Sequence, residues 1–531
     1  MTLCDLRLLP FGTSTFSALR GAGQVYVDKT ALIRELASLP RGKVFLSRPR
    51  RFGKSLLVST FESLFSSGIT QFRGLAIEPL WNEKRYRVVR LDFSYLMNCA
   101  DEEEFQQIFG DVLADAFGTA GFQPDAGTGI PVWIQLGRWL GSQPHDSLVL
   151  LIDEYDSPLT EVLDRPELFA QYRRILNRFF TVLKSNEGCL RFFFMTGITK
   201  LSSTSIFSAF NNLLDISLDP RYGTLLGYTE EEIRRCFGPW LTRAGQILNL
   251  SEEQLLSELR AHYDGFCFDE KASTHVYCPW SVLNFLLNPE SGFRDFWYAS
   301  GGKPAVLQAY LKGHSLSRPE SYSARKEIPL EALRSPNRYE DLSLDTLLVQ
   351  AGYLTIKAVT EDKQAVLGFP NAEVSQAMAQ LYASELLQGR PLRKPGEPLV
   401  SAVLATGTLD EVAAQFNKTA NMLDGQRYPI RDEATCRGYF QVLLYGAAMI
   451  PQVEVHSALG RSDLEVDSGN RRWVFEFKFA RPKDDPAALL KEGLEQIRSR
   501  RYGESPRETE LIRAALVFSE EERRFVAWGL A

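Results

Sequence analysis

One short loop in this sequence has residue types and spacing suited to binding phosphate. It lies in the stretch SRPRRFGKSLL, in which Lys54 and Ser55 follow a glycine. If the loop joins a strand to a helix, its backbone N–H groups and the helix N-terminus face a bound phosphate. Lys54 would then reach the β- and γ-phosphates of a nucleoside triphosphate, and the Ser55 hydroxyl would ligate Mg²⁺. The predicted nucleotide-binding residues of this loop are Arg50, Arg51, Phe52, Gly53, Lys54 and Ser55.

The entrance of the loop departs from the full phosphate-loop pattern, G-x-x-x-x-G-K-[ST]. Arg48 occupies the position of the first glycine. That glycine serves a tight turn, because glycine adopts backbone conformations that other residues avoid. Pro49 follows directly, and its fixed φ offers another way to set the turn. We therefore interpret the stretch as a phosphate-binding loop with a different entrance.

A second segment supplies the acidic partners that such a loop needs. SLVLLIDEYD is a nearly continuous apolar run, typical of a strand buried on both faces, and it leads into Asp153 and Glu154. Asp153 would hold Mg²⁺ through water, and Glu154 would orient the attacking water. Thr196 ends a further apolar strand, where a polar sensor of the γ-phosphate would lie. The alternatives are an ordinary acidic strand end and a threonine that only caps its strand.

A second group of chemically suited residues lies within the segments GRSDLEV and VFEFKFA. Glu476 and Lys478 are two positions apart in a predicted strand, so both project from one face. A turn at 468–470 would bring Asp463 beside them on the neighbouring strand of a hairpin. The two carboxylates could then hold Mg²⁺, and Lys478 could position a water or offset charge in a transition state. The alternative is a solvated charged face on an edge strand.

The elements that must position these residues indicate an α/β protein. The chain has 531 residues, too many for one core, so two to four domains are expected. Strand-like and helix-like segments alternate at first, a mainly helical region follows, and the last segment combines strands with a helix. RAALVFS, at 513–519, is predicted as the last strand. The predicted domains are 1–240, 241–380 and 381–531.

Composition and charge exclude several classes of protein. No stretch reaches the about 18 apolar residues of a membrane span, and no secretory signal is expected. The seven cysteines form no C-x-x-C pair, which fits a reducing cytoplasm and argues against zinc. The net charge of −6 gives no global attraction to nucleic acid, so any basic groove must be local. Arg498, Arg500 and Arg501 are candidates for such a groove, and the alternative is a solvated helix end.

Four stretches make the sequence resemble a known family. They are YVDKTALIREL (26–36), FLSRPRRFGKSLLVSTFESLF (45–65), LIDEYDSPL (151–159) and FFMTGITKLSSTSIFSAFNNL (193–213). They are similar to a family of prokaryotic AAA-like ATPases that commonly carries a PD-(D/E)XK nuclease-like domain at its C-terminus. Within that family RPRRFGKS is the usual form of the loop, so Arg48 is no departure there.

The resemblance implies an AAA-like P-loop sheet, a mainly helical lid or linker region, and a C-terminal α/β nuclease-like domain. It also implies two further site residues, Glu433 as an upstream acid and Gln496 on the helix after the hairpin. Both could equally be surface residues. The surroundings of Glu433, RDEATCRGYF, depart from the Asn-Glu pair and aromatic residues that family members often present.

Two functions follow as expectations. The first is an ATP-binding and ATP-hydrolysing protein coupled to a nuclease that uses Mg²⁺, or Mn²⁺, and acts on nucleic acid, DNA more than RNA. The second is an ATP-driven switch that binds nucleic acid or a protein without cleaving it. The intact set of Asp463, Glu476 and Lys478 favours the first, although a fold of this kind does not guarantee cleavage. A cytoplasmic protein without membrane association is expected, and a homo-oligomer is left open.

Overall fold

A computed structural model divides the chain into two compact units. The first unit comprises residues 1–315 and 320–374, and the second comprises residues 316–319 and 375–531. The residues that the structure describes are 5–200, 213–297, 305–311, 316, 325–334, 343–386, 400–420, 430–447, 449, 451–457, 460–504 and 509–531.

The first unit is built on a parallel sheet. Its strands are β1 Gly42–Ser47, β2 Arg87–Asp92, β3 Leu148–Asp153, β4 Leu190–Gly197 and β5 Leu214–Asp215. Their order is β2-β3-β4-β1-β5. Because β1, β3 and β4 are buried along their whole length, their sequences are nearly continuous apolar runs. The order brings the carboxyl ends of β1 and β3, where the loop and the acids lie, to the two sides of β4.

Helices surround this sheet, and α3 packs across it against β2, β3 and β4. They are α1 Phe16–Gly21, α2 Thr30–Ala37, α3 Lys54–Ser67, α4 Glu102–Gly118, α5 Val132–Gly141, α6 Ser157–Thr160 and α7 Pro166–Ser185. The start of α4 shows why such segments fold locally. The Asp101 carboxylate caps the helix by accepting from the Glu104 N–H, and three glutamates in the first turn complement the helix dipole.

The rest of the first unit is mainly helical, with a small antiparallel sheet. The helices are α8 Glu230–Leu248, α9 Glu252–Tyr263, α10 Pro279–Leu287, α11 Ala305–Leu311, α12 Glu331–Arg334 and α13 Leu344–Gln350. The strands, in the order β6-β8-β7, are β6 Lys326–Pro329, β7 Thr355–Val359 and β8 Gln364–Gly368. Thr229 and Glu232 form a capping box at the start of α8. The helix α14, Ala372–Leu386, begins in the first unit and continues in the second.

The second unit is built on a mixed sheet. Its strands are β9 Gln452–Ser457, β10 Gly460–Ser468, β11 Arg471–Ala480, β12 Glu510–Ser519 and β13 Arg524–Leu530. Their order is β13-β12-β11-β10-β9, and each pair is antiparallel except β11 with β12. The remaining helices are α15 Val400–Thr406, α16 Leu409–Ala420, α17 Glu433–Gly446 and α18 Pro486–Arg500.

Both faces of β11 are covered, and alternate residues of the strand separate the two faces. Trp473, Phe475 and Phe477 join the main apolar core with residues of α15, α16 and α17. Val474 faces the other way, into a smaller cluster with Ile497 of α18. Glu476 and Lys478 share the face of Val474, because side chains alternate along a strand. The charged residues therefore lie beneath a helix rather than on a solvated edge.

The prediction that 513–519 is the last strand is wrong. A further strand, β13, pairs antiparallel with β12 after a turn rich in glutamate and arginine. β13 has the sequence RFVAWGL, a run of apolar residues after Arg524 that was the available signal for this strand. None of the described helices is long and apolar enough to cross a membrane.

Candidate active sites

The predicted phosphate-binding loop joins β1 to α3. Gly53, the last residue before the helix, has a φ of 90°, and Arg51 has a φ of 72°. A Cβ on Gly53 would meet no atom within 4 Å, so the left-handed backbone rather than crowding calls for glycine here. The conformation leaves the first N–H groups of α3 without helical partners, which suits them to bind an anion.

Lys54 is buried, and its ammonium group lies on the loop itself. Its Nζ donates to the carbonyl oxygens of Arg48 at 3.0 Å and Pro49 at 2.9 Å. Burial lowers the pKa of Lys54, and the negative charge of Asp153 opposes this effect. The lysine predicted to reach the phosphates is thus held within the loop by two neutral acceptors.

The two acids at the end of β3 lie beside this lysine. Asp153 is 1% exposed, and its burial raises the pKa of its carboxyl while a hydrogen bond from the Ser55 hydroxyl lowers it. Glu154 has a φ of 50°, and its Oε2 accepts from the Ser157 hydroxyl at 2.9 Å. Burial also raises the pKa of Glu154. The structure therefore brings Lys54, Ser55, Asp153 and Glu154 together, as the sequence predicts.

A cavity of about 540 Å³ opens at the loop. Its volume is that of an ordinary small-molecule site. The loop lines it together with Glu154, and Tyr26 and Trp280 contribute aromatic walls. The guanidinium of Arg51 lies over the ring of Trp280, 4.2 Å from its centroid, while Arg50 also lines the cavity. The charge and size of this cavity fit a nucleoside triphosphate.

Arg48 explains how the loop dispenses with its first glycine. The backbone N–H of Arg48 donates to Gly197 of β4, so the residue extends β1 instead of turning. Its buried guanidinium donates to the carbonyl oxygens of Ser47 at 2.9 Å and Ser217 at 2.6 Å, and lies 4.3 Å from the Phe268 ring centroid. Burial lowers the pKa of Arg48 to about 9. The side chain of Arg48 therefore fastens the entrance of the loop, a role that sequence reasoning missed.

Phe52 and Thr196 have roles other than direct contact with phosphate. The Phe52 ring packs edge to face against Phe266 and Phe268, with centroids 4.9 and 5.0 Å apart, and so anchors the loop. Thr196 is fully buried, and its hydroxyl donates to the carbonyl of Leu46 at 2.7 Å. Because β1 uses this hydroxyl, the geometry gives no support to a sensor at Thr196.

Asp156, in the turn between β3 and α6, binds the residues that follow β4, a role that sequence reasoning missed. Its carboxylate accepts from the N–H of Ile198 and from the N–H and hydroxyl of Thr199. Asp156 lies two residues after Glu154, in the same DEYD sequence, which was the available signal. Residues 201–212 of the family-like stretch FFMTGITKLSSTSIFSAFNNL lie outside the described residues.

The second candidate site is assembled on the hairpin of β10 and β11. Leu464 pairs with Phe475, and the strands meet at a turn of Gly469 and Asn470, which confirms the predicted turn. The Asp463 carboxylate accepts from the Phe477 N–H at 2.8 Å. This bond holds Asp463 directly beside the segment that carries the other charged residues.

Lys478 is the centre of this second site. Its Nζ lies 3.5 Å from Glu476 Oε1, 3.7 Å from Glu433 Oε1 and 3.6 Å from Glu492 Oε1, and it donates to Gln496 Oε1 at 3.0 Å. Glu492 was missed by sequence reasoning, although it lies one helical turn before Gln496 on α18. The structure brings together the predicted residues Asp463, Glu476, Lys478, Glu433 and Gln496.

The electrostatics of this site suit a divalent cation. Glu476 is 2% exposed, and its Oε2 has no hydrogen-bond partner among the described residues. Burial, followed by the charge of Asp463, raises the pKa of Glu476 to about 8. Burial lowers the pKa of Lys478, but the charges of Glu433 and Glu476 outweigh it, so the net shift is upward. A cation would relieve the repulsion between Asp463 and Glu476 and occupy the free oxygen.

The carboxylates available for a metal are few. No group of three His, Cys, Asp or Glu side chains is arranged around a common metal position in the described part of the chain. Mg²⁺ keeps several waters and is usually bound by one or two carboxylates together with substrate phosphates. Asp463 and Glu476 fit that mode, whereas a metal cage made of protein ligands alone would not fit.

Comparisons with known proteins match the two regions of the chain in which the candidate sites lie. A family model described as "Predicted AAA-ATPase" matches residues 10–207, and one described as "PD-(D/E)XK nuclease superfamily" matches residues 432–528. "Uncharacterized protein in vnfD 5'region" from Azotobacter chroococcum mcd 1 is 30% identical over 517 residues, covering 94% of this chain and 93% of the relative. The chain belongs to the family of AAA-like ATPases with a C-terminal PD-(D/E)XK nuclease-like domain.

Within this AAA-like family, each matched range contains one of the two sites. The range 10–207 lies in the first unit and includes the loop and the acids of β3. The range 432–528 lies in the second unit and includes every predicted residue of the hairpin site. The two candidate sites thus belong to separate parts of the family's architecture.

Proposed function

We propose that this chain binds and hydrolyses ATP at the loop after β1 and cleaves phosphodiester bonds of nucleic acid at the β10–β11 hairpin. The observation that carries the nuclease part is the unpartnered, buried Glu476 Oε2 beside Asp463 and Lys478. A buried carboxylate oxygen without a partner is costly unless a ligand uses it. That cost supports a functional rather than a structural role for this cluster.

At the nucleotide site, each residue has a proposed task. Lys54 leaves the two loop carbonyls and binds the β- and γ-phosphates of ATP. Ser55 and Asp153 hold Mg²⁺, and Glu154 orients the attacking water. Arg50 and Arg51 add positive charge beside the phosphates. Phe52 and Arg48 keep the loop in its binding conformation through their packing and hydrogen bonds.

At the hairpin site, Asp463 and Glu476 would hold Mg²⁺ or Mn²⁺, which supplies polarisation of the phosphodiester and an activated water. Lys478 orients that water and offsets negative charge in the transition state. Gln496 holds the Lys478 ammonium by its 3.0 Å hydrogen bond, and Glu433 Oε1 lies 3.7 Å from the same ammonium. DNA is the preferred substrate class in this proposal, and the cytoplasm is the proposed compartment.

The proposed domains are 1–240, 241–380 and 381–531. The division between the two compact units, at residues 374 and 375, lies close to the second boundary and supports it. The first boundary falls within α8, inside the first unit, so it stays a prediction. A homo-oligomer likewise remains a proposal without a structural argument.

A cleavage assay tests the nuclease proposal. The full chain is incubated with plasmid, linear and single-stranded DNA and with RNA, in Mg²⁺ or Mn²⁺, with and without ATP. Lys478→Ala should abolish cleavage and leave ATP hydrolysis within about twofold, because catalytic residues act in the chemical step of their own site. Lys483→Ala, which removes an exposed lysine after β11, is the matched control. Cleavage that survives in Lys478→Ala would contradict the assignment.

One observation favours a second function, an ATP-driven switch that binds nucleic acid or a protein without cleaving it. In the described residues, no three His, Cys, Asp or Glu side chains are grouped around a metal position, and Lys478 is already surrounded by four oxygen acceptors. A site locked in this way could recognise a ligand without chemistry. Absence of cleavage on every substrate, from a preparation that hydrolyses ATP, would favour the switch.

A further inference from the structure

A chain of hydrogen bonds leads away from Lys478 to the end of α18. Lys478 donates to Gln496 Oε1 at 3.0 Å, and Gln496 Nε2 donates to the Tyr502 hydroxyl at 3.3 Å. Arg500 Nη1 donates to the same hydroxyl at 3.0 Å. Tyr502 is fully buried, so the position of its hydroxyl is fixed. The hydroxyl joins Arg500 to Gln496, and through Gln496 to Lys478.

The stem of Arg500 is held by a second feature. A Cβ placed on Gly460, at the start of β10, would lie 2.6 Å from Arg500 Cδ and 3.2 Å from Tyr502 Cε1. The methylene groups of the Arg500 side chain therefore pack over β10 at Gly460, where the strand has no side chain. Gly460 lies on β10, the strand that carries Asp463, and the charge of Glu476 acts on the Arg500 guanidinium.

Arg500 differs from Arg498 and Arg501, at the same end of α18, because a hydrogen bond holds its guanidinium. Among the residues that the structure describes, Tyr502 is the only hydrogen-bond partner of the Arg500 guanidinium, which leaves most of its five N–H donors available. Arg498 and Arg501 make no side-chain hydrogen bond or ion pair within the described part of the chain. Arg500 is thus an anchored and exposed cation, whereas the other two are not anchored.

The acidic site needs such a cation if it is to accept a polyanion. Glu476, Glu433 and Glu492 surround Lys478, and Asp463 pairs with Arg437 at 3.7 Å. These four carboxylates outnumber the two cations that pair with them, and the excess negative charge would repel a nucleic-acid backbone. We propose that Arg500 binds a backbone phosphate of the nucleic-acid strand next to the phosphate that is cleaved. The planar guanidinium can bind a phosphate through two parallel hydrogen bonds, which fixes the strand's position as well as attracting it. This inference rests on the proposed nuclease function and names a binding residue for it.

Binding without cleavage tests the role of Arg500. The full chain is titrated with a fluorescently labelled DNA oligonucleotide, single-stranded or duplex, with Ca²⁺ replacing Mg²⁺, and anisotropy is measured over a range of salt concentrations. Arg500→Gln should weaken binding about tenfold and reduce the slope of log affinity against log salt by about 0.7 to 0.9, as expected for one lost phosphate contact. Arg498→Gln, two residues away on the same helix, should remain within twofold of wild type. With Mg²⁺ present, Arg500→Gln should raise KM more than it lowers kcat.

A second variant moves Arg500 without removing its charge. Gly460→Ala places a methyl group against the Arg500 stem and should weaken binding to a similar degree, with far-UV circular dichroism confirming the fold. Unchanged affinity and salt slope in Arg500→Gln would overturn the inference while leaving the nuclease proposal standing. Equal losses in Arg498→Gln and Arg500→Gln would overturn it as well, because they indicate a diffuse charge effect. Wild-type protein that neither binds nor cleaves nucleic acid would overturn both proposals.

Discussion

Two buried lysines with opposite pKa shifts define the two sites at the level of single residues. Lys54 is held by neutral main-chain carbonyls, and burial lowers its pKa. Lys478 is surrounded by carboxylates, whose charges raise its pKa despite burial. A polyphosphate would therefore strongly stabilise the charged form of Lys54 by supplying negative charge. Lys478 already has its counter-charges, which suits the positioning role proposed for it better than the capture of an anion.

Glu154→Gln should separate ATP binding from ATP hydrolysis. The amide keeps the shape of the side chain but cannot act on the attacking water as a carboxylate does, so turnover should fall about 10²- to 10⁴-fold. Affinity for a fluorescent ATP analogue should stay within about threefold, since Glu154 is not a proposed phosphate ligand. Phosphate release measures the turnover, and Glu167→Gln, on the exposed first turn of α7, is the control. Wild-type turnover in Glu154→Gln would remove Glu154 from the mechanism.

Metal binding at the hairpin should depend on pH through Glu476. Its pKa is raised from 4.5 to about 8, and a metal requires the deprotonated carboxylate. Affinity for Mn²⁺, measured by calorimetry without nucleotide, should therefore rise by up to about tenfold per pH unit from about pH 6 to about pH 8 and then level off. Glu476→Gln should bind more weakly and lose this dependence. A flat profile for the wild type would show that Glu476 is not a ligand.

The same raised pKa has a consequence for stability. The native state binds the Glu476 proton more tightly than the unfolded chain, so the protonated group contributes stability that is fully present below pH 4.5. That contribution is lost as pH rises through about 8. Without metal, the second unit should become less stable across this interval, and Mn²⁺ should restore part of the loss.

At the level of elements, a network of the mainly helical region supports the phosphate-binding loop. Glu373, in the first turn of α14, accepts from the N–H of Trp297 at 3.0 Å. Trp297 lies against Phe52 of the loop, with ring centroids 6.4 Å apart. A Cβ on Gly352 would lie 2.8 Å from the Trp297 ring and 2.9 Å from Pro49 Cβ. The loop is therefore supported from outside the nucleotide-binding sheet itself.

Gly352→Ala should disturb this support. The added methyl group meets Trp297 and Pro49, and overpacking of this kind costs about 1–3 kcal/mol in addition to the strain at a φ of 82°. Gly74→Ala is the matched control, because Gly74 has a φ of 77° but no atom within 4 Å of an added Cβ. Urea unfolding and ATP titration should show greater losses for Gly352→Ala. Equal effects of the two substitutions would mean that backbone strain alone matters at Gly352.

The sequence predicts the elements that carry a strong local pattern. The apolar strands around the loop and the hairpin turn at Gly469 follow from residue types and spacing. Sequence reasoning does not reach the contacts that the tertiary fold decides. The Thr196 hydroxyl is used by β1, Arg48 finds its acceptor at Ser217 on a distant segment, and Glu492 reaches Lys478 only because α18 covers β11. None of these contacts is local in sequence.

At the level of the whole molecule, each of the two compact units has its own sheet and its own candidate site. The second unit also has its own apolar core, formed by its strands with α15, α16 and α17. A ligand stabilises the part of a protein that binds it, because it favours the folded state of that part. The two ligands of this chain should therefore act on different parts of its unfolding.

Thermal unfolding of the full chain should resolve this difference. ATP with Mg²⁺ at about one hundred times its Kd should stabilise the first unit by about 2.7 kcal/mol, and an oligonucleotide with Ca²⁺ should stabilise the second. Lys54→Ala should remove only the first effect. Arg500→Gln should reduce only the second. Hydrogen exchange followed by mass spectrometry assigns each effect to its residues. Loss of both effects in either variant would contradict separate binding sites.

The carbonyl oxygens of Arg48 and Pro49 compete with a phosphate for the Lys54 ammonium. A phosphate must displace two existing acceptors, so the net gain from capturing the lysine is smaller than the strength of the new bond. A triphosphate offsets this loss with several charged oxygens and contacts to the loop N–H groups. A single inorganic phosphate offers fewer such contacts. Under the proposed function, the loop would therefore favour a triphosphate over abundant small anions.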